Sequence, residues 1–124
     1  RAGAASGLAG GLAALGAELV DGIDLVAEEL GLDEVLEGAD LMVTGEGQLD
    51  ATSWEGKVVG GVSAYAAATG LPVLVVAGRI HADLAGRTDA VSLVERFGVE
   101  QAMSDTAACV EAVVAEVVAE AAGR

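Results

Sequence analysis

Only one proline, one cysteine, one histidine, one lysine and three aromatic side chains (Trp54, Tyr65 and Phe97) occur in the 124 residues. A single cysteine, Cys109, excludes an internal disulfide, and its place in an apolar helical stripe reads as a buried, inert thiol of a reducing compartment. No apolar run approaches the roughly 20 residues that span a bilayer, and no basic, hydrophobic leader opens the chain, so a cytoplasmic protein is expected. With few aromatics, packing must come from Val, Leu, Ile and Ala. With 18 glycines adding entropy to the unfolded chain, modest stability is expected, with a melting temperature below roughly 70 °C.

Positive charge is the other shortage. Six basic against 20 acidic residues leave a net charge of −14, a field that repels nucleic-acid phosphates and anionic lipid headgroups. Neither nucleic acid nor membrane is an expected partner. The acids are spread along the chain, which fits a solubility role, and an anionic substrate would then need positive charge supplied locally. With 53% hydrophobic and 21% charged residues, the composition is that of one globular domain spanning 1–124. A chain opening at Arg1 within an alanine and glycine run is expected to be a fragment or a processed product.

Residues 1–38 read as a helical lead-in and 39–124 as a βαβ-type core ending in a helix. Leu8, Leu12 and Leu15 have helical spacing before Gly16, and Asp21 can cap a helix whose Ile23, Val26, Ala27 and Leu30 share one face. DLMV (40–43) predicts a short buried strand, PVLVVAG (72–78) a second and AVSLV (90–94) a third. A helix from about Gly56 to Thr69, closed by Gly70 and Pro72, separates the first two strands. Ser104 or Asp105 can cap a long final helix striped by Val110, Val113, Val114, Val117 and Val118. The alternation predicts an α/β fold: a short, Rossmann-like parallel sheet flanked by helices, an incomplete part of a two-domain enzyme with one sheet edge left for strands outside this chain.

The densest polar motif is TGEGQLDATSWEGK (44–57), read as a loop leaving the carboxyl end of the first strand, where ligands bind open α/β sheets. It holds Lys57, the only lysine, at the first turn of a helix, where it would add to the anion preference of the helix start. A Walker A loop is excluded, since Ala51 stands at the required glycine and Val58 at the hydroxyl position that would hold magnesium. Glu46 and Asp50 suit either of two tasks: coordinating Mg²⁺ against nucleotide phosphates, or accepting the proton of an attacking hydroxyl. Asp50 could equally cap the following turn. Gly45 and Gly47 let a ligand approach the backbone closely, Gln48, Thr52 and Ser53 offer neutral hydrogen bonds, and Trp54 could anchor the loop. Arg79 and His81 follow the second strand onto the same rim, where a guanidinium could hold a carboxylate or phosphate; a surface loop histidine is the plainer reading of His81.

GADLMVTGEGQLDATSWEGK, then GGV, then GLPVLVVAG resembles the carboxyl-terminal part of the bacterial type I glycerate kinases, and GAASGLAGGLAALGAELVDGIDLV extends the likeness toward the amino terminus. The resemblance implies transfer of the ATP γ-phosphoryl group to D-glycerate with Mg²⁺, in a cleft between two α/β domains. It implies site roles for Glu46, Asp50, Ser53 and Lys57. On this reading Glu46, Asp50 and Lys57 are catalytic, Glu46 and Asp50 hold the metal, and Gly45, Gly47, Ser53, Gly56 and Arg79 bind the nucleotide. Departures from the family pattern are Gln48 in place of arginine, GKVV in place of GKAP, and Arg79 where serine commonly follows the glycine. The family's amino-terminal half, with its DSFKG segment, is the missing partner, so this chain alone is expected to be inactive; a homo-oligomer is compatible with the sequence. Which hydroxyl of glycerate accepts the phosphate, the 2- or the 3-, stays open. The competing readings are a noncatalytic Rossmann-like module for a nucleotide or acidic metabolite, and an interaction domain pairing through an open sheet edge.

Overall fold

A computed structural model describes residues 3–54, 58–84, 86 and 89–122. Three parallel strands, β1 (Met42–Leu49), β2 (Val73–Ile80) and β3 (Ala90–Ser92), lie in the order β1-β2-β3. Helices α1 (Leu8–Ala14), α2 (Gly22–Glu29) and α3 (Leu32–Leu36) precede the sheet, and α4 (Val58–Thr69) links β1 to β2. After β3 come α5 (Leu93–Phe97), α6 (Val99–Ser104) and the long α7 (Thr106–Ala122). This is the α/β, Rossmann-like arrangement expected. No helix among the described residues is long and apolar enough to cross a membrane.

The continuous apolar run of β2 is explained by its central place, because it is covered on both faces. Leu74 and Val76 pack with Leu93, Ala102, Cys109 and Val113 of α5 to α7. Val75 and Ala77, both at 0% exposure, pack on the other face with Leu49 and with Val59 of α4. A third cluster of Leu36, Met42 and Ala66 closes the amino-terminal end of the sheet.

Four expectations need correction. First, β1 does not stop at Val43 but runs to Leu49, so residues 44–49 of the expected loop are strand, in register with β2 from Met42↔Val73 to Leu49↔Ile80. Pairing with the long β2 outweighs the poor strand propensity of glycine. Gly45 has its own reason to be there, since a Cβ would lie 2.7 Å from the carbonyl oxygen of Val76. Second, β2 runs on to Ile80, and Arg79 is therefore a strand residue. Third, β3 ends at Ser92, whose side chain accepts a hydrogen bond from Glu95 N–H at 3.3 Å and caps α5. Fourth, Val118 is 49% exposed and falls outside the buried stripe of α7, on which Cys109 lies beside Val113 as expected.

The helical lead-in forms as expected, but its apolar residues are little used. Asp21 is the N-cap residue of α2 without a side-chain cap bond, and of the predicted face only Ala27 is buried, with Ile23 half-buried. Leu30 is 73% exposed and Leu15 of the α1 end 86%. Gly31 (φ +63°) and Gly70 (φ +72°) take the left-handed conformation that ends α2 and α4.

Candidate functional site

Parallel pairing delivers the carboxyl ends of β1 and β2 to one rim, and a backbone bond from His81 N–H to the Leu49 carbonyl (2.9 Å) ties them together. Asp50 leaves β1 at this rim and opens a tight 3-10 turn, Ala51–Trp54. Three groups shape the turn. Ser53 N–H donates to the Asp50 carbonyl (3.0 Å), Asp50 N–H donates to Ser53 Oγ (3.1 Å), and Thr52 donates both its N–H (2.8 Å) and its hydroxyl (2.7 Å) to Asp50 Oδ1. The carboxylate therefore does cap its own turn, as aspartate does when its side chain stands in for a backbone acceptor. Ser53 is fully buried, and Trp54 is half-buried against the cluster of Leu49, Val59, Val75 and Ala77.

The start of α4 is set by contact with this turn. A Cβ at Gly60 would lie 2.5 Å from the carbonyl oxygen of Trp54, and one at Gly61 would lie 2.6 Å from Ile23 Cγ1 of α2. The glycine pair inside a helix lets the helix approach the turn on one side and α2 on the other. A Gly-Gly pair in an otherwise helical pattern is the sequence signal that marks such close packing.

Glu46 lies within β1, opposite Ala77, four residues before Asp50 rather than on a common loop with it. Its Oε2 is removed from solvent. The residue lines a cavity of about 750 Å³ floored by Gly45 and walled by Ile23, Val26, Val58 and Val59, an apolar surround that the sequence reading did not foresee. A second groove of about 540 Å³ lies on the other face of β1, over Gly45, Gly47 and Gly78 and beside Thr106 and Val110 of α7.

Arg79 is exposed at the register position of Gln48, so its guanidinium stands one strand away from the position where the resembled family carries arginine. His81 is exposed, with Nδ1 3.1 Å from Asp83 Oδ2, as a surface loop histidine would be. Gly56 and Lys57 lie outside the described residues. Cys109 is 1% exposed among apolar neighbours, with Sγ 3.8 Å from the Gln101 carbonyl, an inert position.

Among the described residues no group of three or more His, Cys, Asp or Glu side chains is placed to share a metal ion. A hard cation such as Mg²⁺ asks for less: one or two carboxylates, with water and phosphate oxygens completing its octahedron. The oxygen donors of Glu46 and Asp50 fit that chemistry.

Comparison with known proteins agrees with the layout. The model of the glycerate kinase family matches residues 1–122. The chain is 39% identical over 104 residues to the glycerate 2-kinase of Escherichia coli (strain K12), covering 83% of this chain and 26% of that protein. It is 41% identical over 83 residues to the glycerate kinase of Bacillus subtilis (strain 168), covering 66% and 22%. An uncharacterized protein of Mycobacterium tuberculosis (strain CDC 1551 / Oshkosh) is 40% identical over 112 residues, covering 86% and 29%. The chain thus spans about a quarter of the length of these relatives. No solved structure matches it.

Proposed function

The chain belongs to the glycerate kinase family, and from that premise we propose that it is the carboxyl-terminal portion of an ATP-dependent D-glycerate kinase of the cytoplasm, inactive until the remaining polypeptide closes the cleft. The reaction joins a hydroxyl oxygen of D-glycerate to the γ-phosphorus of ATP, breaks the bond to the β,γ-bridging oxygen and releases ADP. The hydroxyl proton passes to a carboxylate.

Asp50 and Glu46 are the carboxylates of this site. Asp50, at the carboxyl end of β1, and Glu46, four residues earlier within the strand, would divide two tasks between them, one holding Mg²⁺ and the other receiving the proton. Bound Mg²⁺ supplies charge neutralisation on the phosphate oxygens. Arg79 and Lys57 offset charge as it redistributes over the transferred group. Gly45, Gly47 and Gly56 give the nucleotide access to the backbone. The observation that carries this reading is the shared rim: the Leu49–His81 backbone bond holds the Asp50 turn against the strand end that bears Arg79.

The test is ATP turnover coupled to D-glycerate by the full-length enzyme, with Asp50→Asn and Lys57→Ala beside it. Each substitution is expected to lower kcat by about 10²-fold or more. Turnover of the parent across hydroxy acids that never rises above the glycerate-free rate sinks the assignment. Magnesium-dependent nucleotide binding without turnover would instead make the chain a binding module.

A further inference from the structure

Ser53 stands where the family resemblance places a nucleotide contact, yet its exposure is 0%. Its Oγ accepts from Asp50 N–H at 3.1 Å and lies 3.5 Å from the Gln48 carbonyl, toward which it donates. A hydroxyl engaged on both sides of the turn and closed off from solvent meets a phosphate only if the turn opens. Thr52 is the opposite case, a surface residue whose N–H and hydroxyl both converge on a single carboxylate oxygen, Asp50 Oδ1, at 2.8 and 2.7 Å. Two donors on one oxygen restrict rotation of the carboxylate about its side-chain torsions, and hydrogen bonds to a charged acceptor are the stronger kind.

We propose that Thr52 and Ser53 are positioning residues that act through Asp50: Ser53 fixes where the main chain delivers the aspartate, and Thr52 fixes which way its carboxylate faces. The proposal rests on Asp50 belonging to the kinase site. A carboxylate that must meet a metal or an attacking hydroxyl gains from being held, since misplacement by about 1 Å costs on the order of 10²-fold in rate.

Steady-state kinetics of the full-length enzyme separate positioning from contact. Thr52→Val, which keeps the shape but removes the hydroxyl donor, and Ser53→Ala are each expected to lower kcat about tenfold or more with KM for ATP within about twofold. Thr52→Ser, which restores the donor, is expected to recover most of the loss. A raised KM for ATP at unchanged kcat in Ser53→Ala would assign Ser53 to the nucleotide and overturn its part, and an unchanged kcat in Thr52→Val would overturn the part of Thr52. Because Thr52 is on the surface, the Thr52 pair stays readable even if Ser53→Ala misfolds. If the parent shows no glycerate-dependent turnover, the kinase reading has failed on its own account, and amide exchange in the full-length protein decides the geometry. Exchange at Asp50 N–H should then be about tenfold faster in Ser53→Ala, and an unchanged rate refutes the Ser53 clamp.

Discussion

Gln48 and Arg79 are in-register neighbours on β1 and β2, both exposed at the carboxyl end of the sheet. Paired strands lie about 4.8 Å apart, so long side chains at the two positions can reach the same ligand group. A charge-assisted bond from Arg79 to phosphate is worth about 1.5–3 kcal/mol. In the full-length enzyme Arg79→Ala should therefore raise KM for ATP about tenfold or more, and Gln48→Arg added to it should restore most of the affinity. Initial-rate measurements over an ATP series check both, and an unaltered KM in Arg79→Ala removes that residue from the site.

The glycines of β1 and β2 divide into two kinds. A Cβ at Gly78 would lie 2.5 Å from the carbonyl oxygen of Gly47, whereas a Cβ at Gly47 would meet nothing within 4 Å. Gly78→Ala should cost about 1–3 kcal/mol through strain between the strands and lower Tm by roughly 5–15 °C. Gly47→Ala should leave Tm within about 2 °C, while its new methyl obstructs the approach of the nucleotide and weakens ATP binding. Calorimetry with nucleotide titration distinguishes the two, and equal Tm values for both variants would contradict the close strand contact.

Tyr65 of α4 carries a raised pKa. Its partial desolvation is the largest cause, followed by the negative charge of Asp24, whose Oδ1 accepts from the phenol at 3.5 Å, and by Asp33. The folded protein holds this proton more tightly than the unfolded chain, whose ordinary value is 10.0. The contribution to stability is thus complete below about pH 10 and is lost as pH rises through the folded value. Urea midpoints measured from about pH 8 to 11 should decline at the alkaline end in the parent and less steeply in Tyr65→Phe. Parallel curves would remove Tyr65 as the source.

Leu15 and Leu30 are 86% and 73% exposed, in a lead-in that also leaves Leu8, Leu12 and Leu25 open. Leu15→Glu with Leu30→Glu should shift stability by no more than about 0.5 kcal/mol for each site, and should reduce self-association of the isolated chain. Sedimentation velocity and thermal melting report the two effects. A loss of several kcal/mol would mean that these leucines are core.

The sheet was legible in the sequence because β-branched runs bounded by turn residues leave few alternatives: the run 72–78 became β2, Val73–Ile80, and the final helix begins at Thr106, directly after its predicted caps. The extent of β1 was not legible. Gly45 and Gly47 read as loop residues by local preference, and only the proximity of Val76 across the sheet, which periodicity along one strand does not encode, shows why glycine is in a strand at position 45. The acidic motif was recognised as a unit, and the structure does bring Asp50 and the strand bearing Arg79 to one rim. It separates Glu46 from Asp50 onto strand and turn, and it hides the Ser53 hydroxyl that local polarity suggested was available. The lead-in helices were foreseen from spacing. Their exposed leucines were not, since spacing tells which residues share a face but not whether anything covers it.

Gly60 abuts the carbonyl of Trp54 with no side chain between them, so the turn that carries Asp50 and the first coils of α4 have no slack in which to slide past each other. A side chain placed at position 60 would thereby disturb the aim of a carboxylate ten residues away, through a residue that owns no functional group at all.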